Sequence, residues 1–241
     1  MKTIVSANYE EMSKKAASLI IEYVNRKPDA LICLAAGNTP LGTFACLREA
    51  AGQGAVSFES CKFVSLDEWV GLDGSAEGSC RQTLYDHFFA PLAIREDQIQ
   101  FFDGMSSDLQ GECDKMDAFI SSHGKVDLFL LGVGMNGHLG FNEPGVSFDL
   151  LSHVIDLDAV TKTVSVKYFD EQKDLKQGIT IGIGHMMKAE TVIVIADGSK
   201  KADIIAKSFQ GEVKNEVPAS ALQRHPNVFL CLDESAARLM N

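Results

Sequence analysis

The sequence predicts an α/β fold in which helices cover both faces of an open, mainly parallel β-sheet. Three observations support this prediction. Strand-like and helix-like runs alternate almost throughout the 241 residues, as they do in chains built from βαβ units. The strand-like runs are short and apolar, which is typical of strands buried on both faces. Glycine-rich turns follow several of them, at the position where α/β folds place binding loops.

The first half of the chain contains four strand-like runs and four helix-like runs. In the first helix-like run, apolar residues recur every three or four positions, as expected for one buried helix face. Pro40 precedes the second run, near the helix start where proline is favoured. Strands are predicted at 3–5, 31–35, 61–65 and 126–131, and helices at 9–25, 41–51, 79–89 and 108–121.

The second half begins with residues 146–176, the least regular part of the chain, for which a mobile lid and an ordinary surface excursion are both open. Beyond it the alternation resumes, and a run of Val and Ile marks a buried strand. Strands are predicted at 191–196 and 228–232, and helices at 199–209, 218–225 and 233–240. The whole pattern predicts a three-layer, Rossmann-like open sheet within one domain of 241 residues.

Composition and charge exclude several classes of protein. Hydrophobic residues make up 46% of the chain and charged residues 23%, which is ordinary for a globular protein. The net charge of −11 argues against binding nucleic acid through a broad basic surface. No segment reaches the ~18 apolar residues of a membrane span, and the first residues lack a secretory signal pattern. We expect neither nucleic acid nor membrane as a partner.

The cysteines carry no recognisable motif. None of the six forms a Cys-x-x-Cys pair, so zinc and dithiol redox sites are not predicted. We expect no metal, and dispersed thiols fit a reducing cytoplasm. The cysteines are Cys33, Cys46, Cys61, Cys80, Cys113 and Cys231.

The most informative segment is the loop at 131–145, which contains five glycines, one proline, His138 and Glu143. Its first glycines match the Gly-x-Gly-x-x-Gly pattern of dinucleotide-binding loops. Such a site also needs a helix that begins at once, and Gly140 and Pro144 interrupt it. The residues alone leave two readings of this loop, namely a turn with a hydrogen-bonded structural histidine and a reactive His–Glu pair.

Two segments have features of an anion site. Residues 36–43 follow a strand and open a helix, and they offer Asn38, Thr39 and Thr43 as donors beside free backbone amides. The lysine of a P-loop is missing there, so a single phosphate is favoured over a nucleoside triphosphate. Lys201 stands at another helix start, where a cation opposes the helix dipole unless an anion lies nearby. A capped turn and a solvated lysine pair are the alternatives.

An acidic pair, Asp67 and Glu68, directly follows the strand at 61–65. In a strand-end loop the two side chains diverge, so at most one would face a cleft. The apolar neighbours Leu66 and Trp69 would bury a carboxylate, raise its pKa and suit it to proton abstraction. Capping of the following loop is the alternative, and the residues alone favour it.

Taken together, these motifs resemble the glucosamine-6-phosphate deaminase (isomerase) family in order along nearly the whole chain. The most specific is Gly-His-x-x-Phe-Asn-Glu-Pro, because the related 6-phosphogluconolactonases share the fold and the Gly-His but lack Phe-Asn-Glu-Pro. The matching segments are Gly-Asn-Thr-Pro-Leu-Gly-Thr at 37–43, Leu-Asp-Glu-Trp-Val-Gly-Leu at 66–72, the loop at 132–145, Gly-Ile-Gly at 182–184, Gly-Ser-x-Lys-Ala at 198–202 and Val-Pro-Ala-Ser-x-Leu-Gln-x-His-Pro at 217–226.

The resemblance implies a cofactor-free conversion of an amino-sugar phosphate to fructose 6-phosphate and ammonia. His138 would move a proton at the ring oxygen during ring opening, and Glu143 would orient and polarise it. Asp67 would carry a proton between C2 and C1 through an enolamine-like intermediate. The phosphate would be held by Gly37, Asn38, Thr39, Thr43, Lys167 and Lys201.

Two positions depart from the family pattern. Many members have Asp where this chain has Asn136, which lacks the charge that would help stabilise a protonated His138. Asn136 is nevertheless expected to be one of the catalytic residues, with a larger share of the charge carried by Glu143. Lys167 stands where the family often has Arg, so the charge is kept but bidentate phosphate recognition is lost.

The longer members of the family are effector-activated hexamers that use basic residues after the catalytic loop and extra chain at the C-terminus. Residues 145–160 contain no Lys or Arg, and the chain ends at Asn241 soon after its last strand. We therefore expect a non-allosteric enzyme, a monomer or small homo-oligomer, acting on a small phosphosugar. Galactosamine 6-phosphate as substrate, a lactonase-type hydrolase and a non-catalytic sugar-phosphate sensor are the alternatives.

Overall fold

The protein is represented by a computed structural model that describes residues 1–165, 169 and 175–240. The described strands are β1 (Lys2–Ser6), β2 (Leu31–Leu34), β3 (Lys62–Ser65), β4 (Asp67–Trp69), β5 (Ile99–Gln100), β6 (Leu128–Gly132), β7 (His153–Asp156), β8 (Gln177–Thr180), β9 (Thr191–Ala196) and β10 (Val228–Asp233).

Helices connect most of these strands. The described α-helices are α1 (Tyr9–Arg26), α2 (Leu41–Gly52), α3 (Cys80–Leu84), α4 (Leu109–Ser122), α5 (Ala159–Ser165), α6 (Ile183–Lys188), α7 (Ala202–Gln210) and α8 (Glu234–Ala237). A π-helical turn spans Tyr85–Phe89, and 3₁₀ turns span Glu96–Gln98, Ser199–Lys201 and Pro218–Arg224.

Seven strands form the central sheet, in the order β1-β10-β9-β6-β2-β3-β5. Every neighbouring pair in it is parallel, with registers such as Leu31 opposite Lys62 and Ile32 opposite Leu128. Helices pack on both faces, because parallel strands joined by crossovers leave no face exposed to water. The predicted α/β architecture is confirmed.

Strand β2 is apolar at every position because both of its faces are buried. Ile32 and Leu34 pack into one core with the buried faces of α1 and α2, whereas Leu31 and Cys33 pack into the core on the opposite face of the sheet. Successive side chains point to opposite faces of a strand, so each face requires its own apolar residues. The uninterrupted apolar run in the sequence is the result.

Helix α1 begins where the sequence supplies a capping side chain. The Asn8 side chain accepts a hydrogen bond from the Glu11 amide at 2.9 Å, which satisfies one of the free amides of the first turn. Its buried face includes Met12, Ala16 and Ile20, at the predicted helical spacing. Across the described part of the chain, no helix combines the length and apolarity needed to cross a membrane.

A second, three-stranded antiparallel sheet, in the order β4-β8-β7, was not predicted. The expectation of a strand-end loop at Asp67 was wrong, since Asp67 is the first residue of β4 and pairs with Thr180. Strand β4 has only three residues, and its pairing partner lies far along the chain, so no local pattern marks it. This sheet holds Asp67 in fixed backbone geometry.

Two predicted helices have a mixed structure. The run at 79–89 is α-helical only as far as Leu84 and then forms the π-helical turn, in which Ala90 N donates to Tyr85 O at 3.0 Å. That turn contains the successive residues Phe88 and Phe89, and both are buried in the same core. The run at 199–209 begins as a 3₁₀ turn before α7. The predicted last helix is shorter, since α8 ends at Ala237.

The sheet order creates a crevice at the carboxyl ends of β2 and β6. From β2 the chain adds β3 and β5 on one side, and it then returns to place β6 on the other side of β2. The loops that follow β2 and β6 therefore diverge, and α/β folds bind ligands at such a switch point. The segment predicted as a lid, at about 146–176, contains β7 and α5, and Val160, Thr161 and Val164 of α5 lie at this crevice. Its residues 166–168 and 170–174 lie outside the described part.

Candidate active site

A cavity of about 590 Å³ opens at this crevice, within the usual size range of small-molecule sites. Its walls come from the turn after β2, the junction of β3 and β4, the region of α3, the loop after β6, helix α5 and the loop after β9. The lining residues lie within 35–40, 66–69, 78–83, 132–141, 160–164 and 195–201.

Asp67 lines the cavity and is 7% exposed. Burial raises the pKa of its carboxyl from the ordinary value of 3.8 to about 7. A hydrogen bond with the Cys80 thiol opposes this change, and the nearby charge of Glu68 adds to it. A carboxyl that titrates near neutral pH is suited to accept and return a proton.

Glu68 diverges from Asp67, as expected, and it does not line the cavity. Its carboxylate accepts three backbone hydrogen bonds, from Trp69 N at 2.9 Å, Cys80 N at 3.0 Å and Arg81 N at 2.9 Å. Two of these amides belong to the first turn of α3, where a carboxylate satisfies free donors. Glu68 thus fixes β4 against α3 and brings Cys80 beside Asp67.

His138 and Glu143 form the pair that the loop motif suggested. His138 Nδ1 lies 3.2 Å from Glu143 Oε2, and the Glu143 side chain is only 4% exposed. Burial of Glu143 acts to raise its pKa. The hydrogen bond and positive charge of His138 act in the opposite direction, as do hydrogen bonds with the Thr161 and Asn136 side chains. Together they outweigh burial, so the pKa of Glu143 lies below its usual range. Glu143 therefore carries a negative charge behind the imidazole.

The glycines of this loop make room for His138. A Cβ atom at Gly134 would lie 2.3 Å from the imidazole ring, and Gly137 adopts a positive φ of 88°. The turn closes with Gly134 N donating to His138 O at 2.9 Å. No helix follows within the next residues, as a dinucleotide site would require, since α5 begins only at Ala159.

Asn136 lies behind His138 and is not part of the cavity wall. Its Nδ2 donates to Glu143 Oε2 at 2.9 Å and lies 3.4 Å from Asp158 Oδ1, while its Oδ1 accepts from the His138 amide at 3.2 Å. Asn136 therefore contacts the His138–Glu143 pair from outside the cavity.

The turn after β2 places Gly37, Asn38 and Thr39 on the cavity wall, where phosphate ligands were predicted. The Tyr9 hydroxyl holds this turn, because it donates to Thr39 O at 3.0 Å and accepts from Gly42 N at 2.7 Å. The turn and the start of α2 are thus fixed relative to each other.

The remaining predicted phosphate ligands differ in position. Thr43 is completely buried on α2, and its hydroxyl does not line the cavity, because this position on the helix faces the core. Lys201 lines the cavity and donates a hydrogen bond to the carbonyl of Val133. Lys167 lies outside the described residues, and its role stays a prediction.

Four side chains in or beside the site were not foreseen from the sequence. Thr161 Oγ1 lies 3.0 Å from His138 Nδ1, and Thr39 Oγ1 donates to Asp197 Oδ1 at 2.9 Å. Asp197 had a usable signal, since it directly follows a buried strand. The others had none, because their proximity depends on α3 and α5 docking onto distant loops. The four residues are Cys80, Asp158, Thr161 and Asp197.

Acid–base chemistry on a small anionic molecule is what this arrangement offers. A buried carboxyl titrates near neutral pH, a His–Glu pair lies at the same cavity, and a polar turn and a lysine provide for an anion. Within the described ranges, no group of three or more His, Cys, Asp or Glu side chains is arranged to hold a metal ion.

Residues 6–230 match the family described as glucosamine-6-phosphate isomerases/6-phosphogluconolactonase. A glucosamine-6-phosphate deaminase from Geobacillus sp. (strain WCH70) is 42% identical over 241 residues, covering 100% of this chain and 96% of that protein. A solved structure of a monomeric glucosamine-6-phosphate deaminase is 34% identical with a TM-score of 0.96, covering 99% and 100% of the two chains. The 6-phosphogluconolactonase from Trypanosoma brucei, 20% identical over 100% and 98%, has a TM-score of 0.80 and shares the fold.

Proposed function

Because the chain belongs to the family of glucosamine-6-phosphate isomerases and 6-phosphogluconolactonases, we propose that it is an enzyme that converts glucosamine 6-phosphate and water to fructose 6-phosphate and ammonia. The observation that carries this proposal is that Asp67 and His138 line the same cavity, with Glu143 behind His138. A lactone hydrolase needs no base for a C2 proton, whereas an aldose–ketose isomerase does.

Substrate binding begins with the phosphate. The turn at Gly37, Asn38 and Thr39 supplies backbone and side-chain donors, and Lys201, which lines the same cavity, supplies positive charge. Lys167 is predicted to join them. This local positive site works against a net charge of −11, so binding depends on short-range donors more than on long-range attraction.

His138 opens the pyranose ring. Its Nδ1–H donates to Glu143, which leaves Nε2 to exchange a proton with the ring oxygen. As the bond between C1 and the ring oxygen breaks, that oxygen gains a proton and the C1 hydroxyl loses one, which yields the open-chain aldehyde. The lowered pKa of Glu143 keeps a negative charge available while His138 is protonated.

Asp67 then moves the proton that defines the isomerisation. Its ionised carboxylate takes the proton from C2, and the electron pair forms the C1–C2 double bond. The aldehyde oxygen takes a proton from the C2 ammonium group of the substrate, which gives an enolamine. Return of the proton to C1 produces the C1 alcohol and an iminium at C2. Water adds to C2 and ammonia leaves, so fructose 6-phosphate forms without any redox change or cofactor. A pKa of about 7 balances the ionised fraction of Asp67 against its basicity.

We further propose a monomeric, non-allosteric enzyme of the cytoplasm. The monomeric relative at 34% identity supports the assembly state, and the free thiols of all six cysteines support a reducing compartment. Saturation with substrate should be hyperbolic. A sigmoidal curve that N-acetylglucosamine 6-phosphate converts to a hyperbolic one would contradict this.

One assay tests the proposed function. The protein is incubated with glucosamine 6-phosphate, galactosamine 6-phosphate or 6-phosphogluconolactone, and ammonia, ketose phosphate and acid release are measured. We expect ammonia and ketose phosphate in equal amounts from glucosamine 6-phosphate. Faster release from galactosamine 6-phosphate would change the substrate, and lactone hydrolysis alone would change the reaction class.

The Asp67→Asn variant tests the assignment of the base. It should lower turnover by about 10²–10⁴-fold, the usual contribution of a general base, with little change in phosphosugar binding measured by calorimetry. Asp149→Asn is the control, since this exposed carboxylate lies away from the cavity. Turnover near the unmodified level in Asp67→Asn would mean that another group is the base.

A further inference from the structure

The carboxylate of Asp158, the residue directly before α5, lies behind the loop that contains His138. Asp158 Oδ1 is 3.4 Å from Asn136 Nδ2, and the same nitrogen donates to Glu143 Oε2 at 2.9 Å. From these contacts we infer that Asp158 is a positioning residue for the proposed reaction, which acts through Asn136 to hold the His138–Glu143 pair and to add a second negative charge behind the imidazole. This inference rests on the proposed function of His138.

The orientation of Asn136 is determined by its neighbours. Glu143 and Asp158 can only accept hydrogen bonds when ionised, so the amide nitrogen must point to them and the amide oxygen away. That oxygen accepts from the His138 backbone amide at 3.2 Å. One amide group thus joins two carboxylates that would otherwise repel each other, and it fixes the backbone of the catalytic histidine.

These contacts give a reason for Asn at position 136. An aspartate there would add a third carboxylate next to Glu143 and Asp158, with no donor between them, and such clusters cannot all ionise. A carboxylate at position 158 therefore favours a neutral amide, rather than a carboxylate, at position 136. The negative charge that an aspartate at 136 would bring comes instead from Asp158, directly before α5.

Asp158 also places a second partner of His138. Its Oδ1 accepts from the Val160 amide at 2.8 Å at the beginning of α5. This contact orients the first turn of α5, and Thr161 in that turn brings its hydroxyl to 3.0 Å from His138 Nδ1. His138 Nδ1 therefore contacts both Glu143 and Thr161. Asp158 is connected to Glu143 through Asn136, and to Thr161 through the first turn of α5.

The charged groups around His138 come from several elements. Glu143 belongs to the same loop, Asp158 to the start of α5, Asp67 to β4, and Lys201 to the turn before α7. Only Asp158 among these is separated from the imidazole by a neutral amide that it hydrogen-bonds. Its removal should reduce the stability of the imidazolium without removing a group that touches substrate.

The test compares Asp158→Asn with the double variant Asn136→Asp/Asp158→Asn. Asn is an effective helix cap, so the first variant removes the charge and keeps the acceptor for Val160. The pKa of the His138 imidazole is measured by NMR in the substrate-free protein, with His138→Gln to assign its signal. We expect Asp158→Asn to lower it by about half a unit to one unit, and the double variant to return it to within about 0.3 unit, because the charge is restored.

Kinetics supply the second readout. In Asp158→Asn, kcat should fall about three- to tenfold, while KM changes less than about twofold. The limb of the kcat–pH profile that reports His138 should move with the His138 pKa, and the limb set by Asp67 should not. The double variant should recover kcat, and Asp149→Asn should change neither quantity. An unchanged His138 titration in Asp158→Asn, an equal shift in Asp149→Asn, or no recovery in the double variant would overturn the inference. If the unmodified protein releases no ammonia, the proposed function fails, and the NMR titration still decides whether Asp158 acts on His138.

Discussion

Replacement of Asp67 by Asn should stabilise the folded protein at alkaline pH while it removes activity. The folded-state pKa of Asp67 is about 7, raised from 3.8 mainly by burial. The folded state therefore holds this proton more tightly than the unfolded chain, and the free energy of unfolding falls as pH rises from about 4 to about 7. A shift of roughly three pKa units corresponds to about 4 kcal/mol. The asparagine variant carries no charge and escapes this loss.

The size of the effect depends on pH in a defined way. Relative to the unmodified protein, Asp67→Asn should gain only about 0.5 kcal/mol near pH 4, where the aspartate is protonated in the folded state and about half ionised in the unfolded chain. The gain should reach about 4 kcal/mol near pH 8, less any cost of burying the amide. Subtracting the two proteins at each pH removes the contributions of all other titrating groups.

Urea unfolding followed by circular dichroism, at intervals from pH 4 to pH 8, measures this difference. The exposed Asp149→Asn variant should show no comparable trend. A difference between Asp67→Asn and the unmodified protein that stays constant with pH would refute the argument that Asp67 is a buried carboxyl with a raised pKa. A variant that is less stable at pH 8 than the unmodified protein would refute it as well.

Three other substitutions have defined outcomes. Cys80→Ala removes a hydrogen bond that lowers the pKa of Asp67, so the acid limb of kcat/KM should move to higher pH by about half a unit, whereas Cys80→Ser should not move it. Lys201→Met should raise KM for the phosphosugar about tenfold or more with a smaller effect on kcat. Gly182→Ala should lower the free energy of unfolding by about 2–4 kcal/mol, because its Cβ would lie 2.1 Å from a backbone carbonyl oxygen. Gly52→Ala is the control and should cause no such loss, because a Cβ there meets no atom within 4 Å.

The central sheet and the catalytic loop could be predicted because their signals are local. An uninterrupted apolar run indicates a buried parallel strand such as β2, and the glycines and proline of the loop indicate an irregular turn around His138 and Glu143. Residues whose role depends on distant docking could not be predicted. Asp158 lies directly before a short helix in an irregular region and Thr161 lies within it, and nothing in their immediate sequence indicates contact with a loop near position 138.

Side-chain direction was the other limit. Thr43 belongs to a motif that resembles a phosphate loop, yet its position on α2 turns the hydroxyl into the core. The sequence predicted that at most one of Asp67 and Glu68 faces a cleft, but it could not show which one. That depends on the amides of α3, which bind the carboxylate of Glu68 and leave Asp67 at the cavity. In such cases the sequence pattern identifies the segment that forms the site. Which side chain of that segment faces the cavity depends on the elements that pack against it.

The antiparallel pairing of β4 with β8 has a consequence for folding kinetics. Asp67 lies opposite Thr180, and the Thr180 hydroxyl also donates to the Leu66 carbonyl, 114 positions away, at 3.3 Å. Contacts between segments so far apart in sequence close large loops, and folding is slow where such contacts predominate. We therefore expect the backbone geometry of Asp67 to form after the local helices and the first βαβ units. During refolding from urea, the far-ultraviolet signal should recover ahead of turnover, and the interval between them reports the closure of this small sheet.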